Sequence, residues 1–354
     1  MTFHRCNCLY IPPHVLGNMA KKGEPAVRQA ARSSAQHAKF SRGRRGERAV
    51  KIAEVLSGFV AGATAPAPGT GAREVYDCEH EWRLRVRLAR GEGDSETGDK
   101  DVDTVYGFAE TVRGYFAELG RNSIDNAGMN IVLNVHVGVN YMNAFWDGDE
   151  MAFGDGDGQI FTSFAQSLDV TAHELAHGVT QFTANLDYYS QSGALNEHFS
   201  DVFGTAITQY KLNQTVDDAD WLIGNEIMGP TLYGEALRSM KAPGTAYDNP
   251  LLGKDPQPAH MKDYYNGPND NRGVHINSGI MNRAFYLAAT DQIGTQDAAK
   301  IWYHALQNLW PTADFDDAVE VIVESARTLV GDRVVPEGTT QTVRLAFQEV
   351  GLPT

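Results

Sequence analysis

Residues 169–181, DVTAHELAHGVTQ, place two histidines and a glutamate within five positions: His173, Glu174 and His177. On a helix, residues i and i+4 differ in direction by about 40°, so both histidines would lie on one face. Their imidazoles could then converge on one metal ion about 2.0–2.1 Å away. Glu174, about 100° around the helix from His173, could take a proton from a water on that ion. This spacing also arises by chance in ordinary polar helices, so it does not establish a zinc site on its own. A zinc ion bound by these two histidines would need a third protein ligand from elsewhere in the chain.

The next helical pattern supplies a candidate third ligand. In SGALNEHFSDVFG, residues 192–204, Glu197 and Asp201 stand four apart and share a face. Glu197 would complete a His2Glu set and leave a fourth position open, as catalytic zinc requires. Asp201 could accept the free ring N–H of a ligand histidine. The alternative is a solvated helix face, but the apolar residues around these two carboxylates argue against it.

Several motifs, in this order, resemble the thermolysin family of zinc endopeptidases. They are NAFWDG at 143–148, the HELAH segment, GALNEHFSD at 193–201 and DNRGVHINSG at 270–279. The similarity runs from about residue 73 to the C-terminus. CNCLYIPPHVL at 6–16, ahead of a short basic prosegment, resembles the protealysin branch, whose precursors carry a compact propeptide with a Pro-Pro motif. The resemblance implies an α+β, thermolysin-like fold with a strand-rich N-terminal lobe, a helical C-terminal lobe and a cleft at the HExxH helix.

The resemblance also implies a role for each residue of the site. His173, His177 and Glu197 would bind one catalytic zinc ion. Glu174 would polarise the attacking water, while His275 and Tyr188 would donate to the oxyanion. Asp270 matches the carboxylate that holds the His275 ring cationic and oriented. Outside its motif, His275 would be interpreted as a histidine of a surface loop.

Substrate binding follows the same resemblance. Asn143 and the backbone of Ala144 match the edge strand that pairs with an extended peptide, and such pairing gives affinity without reading sequence. Arg238 matches the arginine that holds a substrate carbonyl. The primed-side pocket would be lined by Phe161, Phe164, Val170, Ile223 and Leu237. This lining predicts a preference for a bulky apolar residue just after the cut bond, although plain core packing would also account for it.

A calcium site is possible, but its ligand set is degraded. Asp169 and Asp220 match two ligands of the family's double calcium site. At three further positions, where acidic ligands would be expected, stand Thr208, Leu222 and Asn225. Calcium takes 6–8 oxygen ligands, so we expect one weakly bound ion or none. GDGDG at 154–158 lacks the glutamate at position twelve of an EF-hand loop and is interpreted as tight turns between strands.

Three segments are expected: a basic propeptide and linker at 1–65, a strand-rich lobe with the HExxH helix at 66–185, and a helical lobe at 186–354. Residues 1–50 carry a net charge of +8, which leaves −23 on the rest. This asymmetry favours docking of the prosegment on its own acidic body over a disordered tail. A less favoured idea is that Cys6 or Cys8 ligates the open zinc position.

Neither a signal peptide nor an apolar run long enough to cross a bilayer is visible, which predicts a cytoplasmic protein or one exported without a leader. We expect a monomer with peptide substrates, its own propeptide as partner, and no nucleic-acid or membrane partner. Three rival functions stay open at this point: a non-enzymatic scaffold, a DNA-binding protein using the basic N-terminus, and a zinc hydrolase of non-peptide amides or esters. The intact Glu174 argues against the scaffold, and the metal-binding pattern against the DNA-binding protein.

Overall fold

The structure, a computed structural model, describes residues 9–37 and 71–354. It divides into two compact units. The first contains the described residues up to Phe182 together with Gly229–Tyr233, and the second contains Thr183–Met228 and Gly234–Thr354. Residues 38–65 of the predicted propeptide and linker lie outside the described residues, as does the N-terminal pair Cys6 and Cys8.

The first unit is built on a five-stranded mixed sheet of order β2-β1-β3-β5-β4. Its strands are β1 (Arg73–Asp77), β2 (Arg87–Arg90), β3 (Ile131–Val135), β4 (Ala144–Trp146) and β5 (Met151–Phe153). Every residue of β3 is buried, as expected for a central strand with parallel neighbours on both sides. β4 pairs only with β5, so its other side is an edge of the sheet.

Two long helices complete the first unit: α3 (Lys100–Glu118) and α4 (Leu168–Gln181). Asp99 caps α3 by accepting from the backbone N–H groups of Asp101 and Val102. Within α4, Gly178 allows close packing, because a Cβ there would lie 2.6 Å from Ile124 and 3.0 Å from Trp146. Thirteen of the fourteen residues of α4 are buried, its histidines and carboxylates included, so α4 is an interior helix.

The described prosegment lies on the first unit as two helices, α1 (Pro13–Lys22) and α2, helical over residues 25–37. Pro13 suits the first turn of α1, where its missing N–H costs no hydrogen bond. Leu9 packs into a buried cluster with Tyr141 and Phe145. At the other end, the ring of His37 stacks on Trp82 with 3.2 Å between ring centroids. The prosegment therefore docks at both ends of its described length.

The second unit is mainly helical. Its helices are α5 (Ser190–Leu212), α6 (Asn269–Ala288), α7 (Thr295–Leu306), α8 (Phe315–Gly331) and α9 (Thr339–Glu349). Two short strand pairs accompany them: β6 (Leu222–Ile223) with β7 (Arg238–Ser239), and β8 (Asp248–Asn249) with β9 (Gly253–Lys254). The predicted α+β class is confirmed, with the strands concentrated in the first unit and the helices in the second.

Two elements differ from what their sequence suggests. WRLRVRLAR at 82–90 alternates in the manner of a strand and predicts one over that range, but the strand is limited to Arg87–Arg90. α6 opens with a left-handed turn, because residues 270–273 all have positive φ, and right-handed helix begins only at Val274. None of the helices in the described ranges combines the length and apolar character needed to cross a membrane.

Candidate active site

α4 presents His173, Glu174 and His177, all buried. The Nε2 atoms of the two histidines lie 3.1 Å apart. Two nitrogen ligands at about 2.0–2.1 Å from a tetrahedral zinc would lie about 3.3 Å from each other. The two rings are therefore arranged as a pair of zinc ligands requires.

The Glu174 carboxylate is tied to the edge strand. Its Oε2 accepts a hydrogen bond of 2.8 Å from the backbone N–H of Trp146 in β4. This contact fixes the carboxylate beside the histidine pair and next to the strand that would hold a substrate. A general base needs such a fixed position within reach of the proton that it abstracts.

The described prosegment occupies the edge of β4. The Tyr10 N–H donates to the Ala144 carbonyl over 3.1 Å, and the Ile11 N–H donates to Asn143 Oδ1 over 2.8 Å. Asn143 Nδ2 in turn donates to the Ile11 carbonyl over 3.4 Å. The Tyr10 ring meets the His173 ring edge-on, with 5.1 Å between centroids. The groups predicted to bind substrate are thus engaged by the chain's own backbone.

The second unit brings together the buried residues Tyr188, Glu197 and His275 with Asp270, whose side chain is 3% exposed. The Tyr188 hydroxyl donates to Glu197 and lies 3.1 Å from His275 Nε2. His275 Nδ1 lies 2.6 Å from one Asp270 oxygen, and the His275 backbone N–H donates to the other over 2.9 Å. The left-handed turn at 270–273 folds Asp270 back onto the histidine that follows it.

His275 is held in its charged form by this arrangement. Burial opposes the cation, but the nearby carboxylates of Asp270 and Glu197 outweigh it and raise the pKa of His275 to about 9. Nδ1–H then donates to Asp270 and Nε2–H points to Tyr188. The cation and the tyrosine hydroxyl form a pair of donors suited to an oxyanion.

Asp201 has partners that sequence reasoning missed. Its carboxylate accepts two hydrogen bonds of 2.8 Å from the Arg238 guanidinium and one of 2.8 Å from Asn282. A bidentate pair of this kind needs a planar fork opposite a carboxylate, which no sequence spacing identified here. The predicted contact of Asp201 with a ligand histidine stays a prediction.

The predicted pocket residues are all buried in their own units. Phe161, Phe164 and Val170 belong to the first unit, where the rings of Phe161 and Phe164 lie 5.8 Å apart. Ile223 and Leu237 belong to the second, where Ile223 pairs with Arg238 across β6 and β7. Their use by substrate stays a prediction.

The predicted calcium ligands make local contacts. Asp169 accepts from the hydroxyl of Ser167, two residues before it. Asp220 accepts from the Leu222 N–H over 3.0 Å and from Asn225 Nδ2 over 2.9 Å. Asn225 therefore acts as a donor to Asp220 here. In GDGDG, the Asp157 side chain accepts from three following backbone N–H groups, which is a turn arrangement.

Comparison with known proteins agrees with this geometry. The catalytic domain of thermolysin metallopeptidases matches residues 72–181, and the alpha-helical domain of the same enzymes matches residues 184–352. The chain belongs to the thermolysin metallopeptidase family. It is a metalloendopeptidase of the protealysin-like kind, which rules out a non-enzymatic scaffold.

Individual relatives are similar over most of their length. The chain is 44% identical over 320 residues to an "Extracellular metalloprotease" of Pectobacterium carotovorum subsp. carotovorum, covering 87% of each. It is 44% identical over 287 residues to "Protease PrtS" of Photorhabdus sp. (strain Az29), covering 79% of this chain and 76% of that protein. The solved precursor of protealysin, a metalloproteinase from Serratia proteamaculans, matches with a TM-score of 0.84 and 40% identity, covering 98% of this chain and 99% of the other.

The catalytic metal of the family is zinc, and the residues present fit it. His173, His177 and Glu197 provide two imidazole nitrogens and a carboxylate, all from buried side chains. This donor set is typical of a catalytic zinc with an open position. The 3.1 Å separation of the histidine nitrogens supports the same conclusion.

Proposed function

We propose that the protein is an endopeptidase that cuts on the N-terminal side of bulky hydrophobic residues and is made as an autoinhibited precursor. Residues 1–65 would be the propeptide and linker, 66–185 the strand-rich catalytic lobe and 186–354 the helical lobe. The extracellular naming of one relative supports export from the cell, and we propose that the enzyme acts as a monomer.

The reaction would use groups that are already oriented. Zinc, when bound, would lower the pKa of its water to about 7 and polarise the carbonyl of the bond to be cut. Glu174 would take the proton of the attacking water, because the Trp146 N–H holds its carboxylate in place. His275 and Tyr188 would donate to the oxyanion, with Asp270 holding the His275 ring.

Substrate would bind as an extra strand on β4. Asn143 and Ala144 would pair with its backbone, as they now pair with Tyr10 and Ile11. Arg238 would hold the carbonyl next to the primed-side residue. The five apolar pocket residues would then select a bulky hydrophobic side chain after the cut bond.

Autoinhibition is supported by one observation above all: the backbone of residues 10 and 11 takes the hydrogen-bonding groups of Asn143 and Ala144. A substrate needs those same groups, so prosegment and substrate compete. The Tyr10 ring against His173 adds contact at the zinc helix itself. Cleavage after the prosegment would let it dissociate and free the strand.

The test is digestion of casein and of short peptides by the purified chain before and after proteolytic removal of the first 65 residues. We expect activity to appear on removal, and to be lost in Glu174→Ala and with a zinc chelator. Glu349→Ala, the same change at an exposed site, is the matched control. Activity that survives both Glu174→Ala and chelation would contradict the proposal.

A further inference from the structure

A chain of five buried polar side chains runs through the interior of the second unit. It joins α7, α5, α6 and β7 through Trp302, His198, Asn282, Asp201 and Arg238. Each of the five side chains is at most 1% exposed. Buried polar groups are costly unless they are hydrogen-bonded, and every successive pair in this chain is bonded at 2.7–2.8 Å.

The proton positions along this chain follow from the donors available. An indole N–H can only donate, so His198 Nε2 accepts from Trp302 Nε1 over 2.7 Å. The His198 proton then sits on Nδ1 and is donated to Asn282 Oδ1 over 2.8 Å. With its oxygen occupied, Asn282 turns its Nδ2 donor to Asp201 Oδ2, also over 2.8 Å. One donor thus sets the direction of every bond as far as the carboxylate.

The far end of the chain is the guanidinium of Arg238. Arg238 lies in β7, a strand of two residues, and its side chain is buried. Arg238 donates one hydrogen bond of 2.8 Å to each oxygen of the Asp201 carboxylate, and Asn282 donates to one of the same two oxygens. Asn282 and Arg238 therefore bind the same buried carboxylate, that of Asp201.

We propose that Asn282, held by His198 and Trp302, is a positioning residue that orients Arg238 for substrate binding. The inference rests on the proposed role of Arg238 in holding a substrate carbonyl. A group that acts only on substrate binding changes KM and leaves the chemical step nearly unchanged. This separates the positioning role from a role in catalysis.

The first experiment measures KM and kcat of Asn282→Ala on a peptide with a bulky residue after the cut bond. The variant is made as the full chain and matured like the wild type. We expect KM to rise about tenfold and kcat to stay within about threefold, because one hydrogen bond to a buried charge is lost. Asn308→Ala, an exposed asparagine of the same unit, is the control. Unchanged zinc content by elemental analysis excludes metal loss as the cause.

The second experiment tests the direction of the bonds at His198. Glutamine can accept from the indole through its oxygen and donate to Asn282 through its nitrogen, whereas leucine can do neither. We expect His198→Gln to keep KM within about threefold and His198→Leu to raise it about tenfold. Equal KM values in the two variants would overturn the proposal. This pair keeps the test open if Asn282→Ala does not fold, as judged by circular dichroism.

The third experiment separates the inference from the proposed function beneath it. In an Arg238→Met background, Asn282→Ala should no longer change KM, since the residue it positions is gone. An undiminished effect of Asn282→Ala in that background would overturn the inference alone. The inference alone would also fail if Arg238→Met raises KM while Asn282→Ala in the wild-type background does not. If Arg238→Met itself leaves KM unchanged, the substrate role of Arg238 is wrong and the inference fails with it.

Discussion

The candidate site residues of the first unit and those of the second are held in different ways. In the first unit, the edge strand β4 is engaged by Tyr10 and Ile11 from a remote part of the sequence. In the second, His275 and Arg238 are each held by a carboxylate of their own unit, Asp270 and Asp201. Removal of the prosegment would therefore free the groups of the first unit, whereas the contacts of the second unit would form as soon as that unit folds.

Two buried histidines of the second unit show how a neighbouring charge sets the pKa of an imidazole. His275, with an Asp270 carboxylate 2.6 Å from Nδ1, has its pKa raised to about 9 despite burial. His198, whose Nδ1 faces the neutral amide oxygen of Asn282, has its pKa lowered by burial to about 4. Burial alone therefore does not decide the charge of a histidine here; the charge of its nearest partner does.

The largest effect on activity should come from a substitution among the oxyanion donors of the second unit. Tyr188→Phe removes the hydroxyl beside His275 while keeping the ring, so we expect kcat to fall about 100-fold. KM should change little, because an oxyanion donor acts mainly in the transition state. Tyr233→Phe, the same change at a side chain 91% exposed, is the control. A loss of less than threefold in kcat would mean that Tyr188 is not a donor to the reaction.

A smaller effect on activity should come from a substitution in the prosegment that contacts the first unit. Tyr10→Ala deletes a buried ring that contacts His173. We expect the uncleaved precursor to gain about tenfold in residual peptidase activity, because lost burial weakens the competing segment. The activity of the matured enzyme should not change. Gln36→Ala, at an exposed prosegment position, should leave the residual activity of the precursor at the wild-type level. Equal residual activity in Tyr10→Ala and wild type would contradict the competition.

The smallest effect concerns a charged histidine of the first unit. Hydrogen bonding to Asp155, partly offset by burial, raises the pKa of His136 to about 9, and Asp99 adds to the rise. A pKa above the unfolded value of about 6.5 stabilises the fold fully below that pH, and this contribution is lost as pH rises through about 9. Because the Asp99 side chain is 40% exposed, we expect only about 1 kcal/mol.

The measurement for His136 is the thermal midpoint of wild type and His136→Asn between pH 6 and pH 10. The wild type should lose a few degrees relative to the variant across this range. His304→Asn provides the control, since His304 bonds to a neutral serine hydroxyl. A constant difference between wild type and His136→Asn at all pH values would show that the carboxylate contacts carry no net stability.

Local spacing predicted the zinc helix well because helical geometry is nearly independent of context. His173 and His177 were expected on one face, and their Nε2 atoms lie 3.1 Å apart. The strand predicted from the alternation at 82–90 is observed only over Arg87–Arg90, because β-pairing depends on partners far along the chain. The left-handed turn at 270–273 left no local signal strong enough to predict it.

The sequence by itself indicated the donor set, because His173 and His177 stand i, i+4 in one helical segment and Glu197 lies on the apolar-flanked helical segment that follows. Only the tertiary structure decided that Tyr10 and Ile11 lie on β4, and that Asp201 meets Arg238 and Asn282. Those contacts join residues 37 to 134 positions apart. Hydrogen bonds between such distant groups depend on how whole elements pack, which no local spacing specifies.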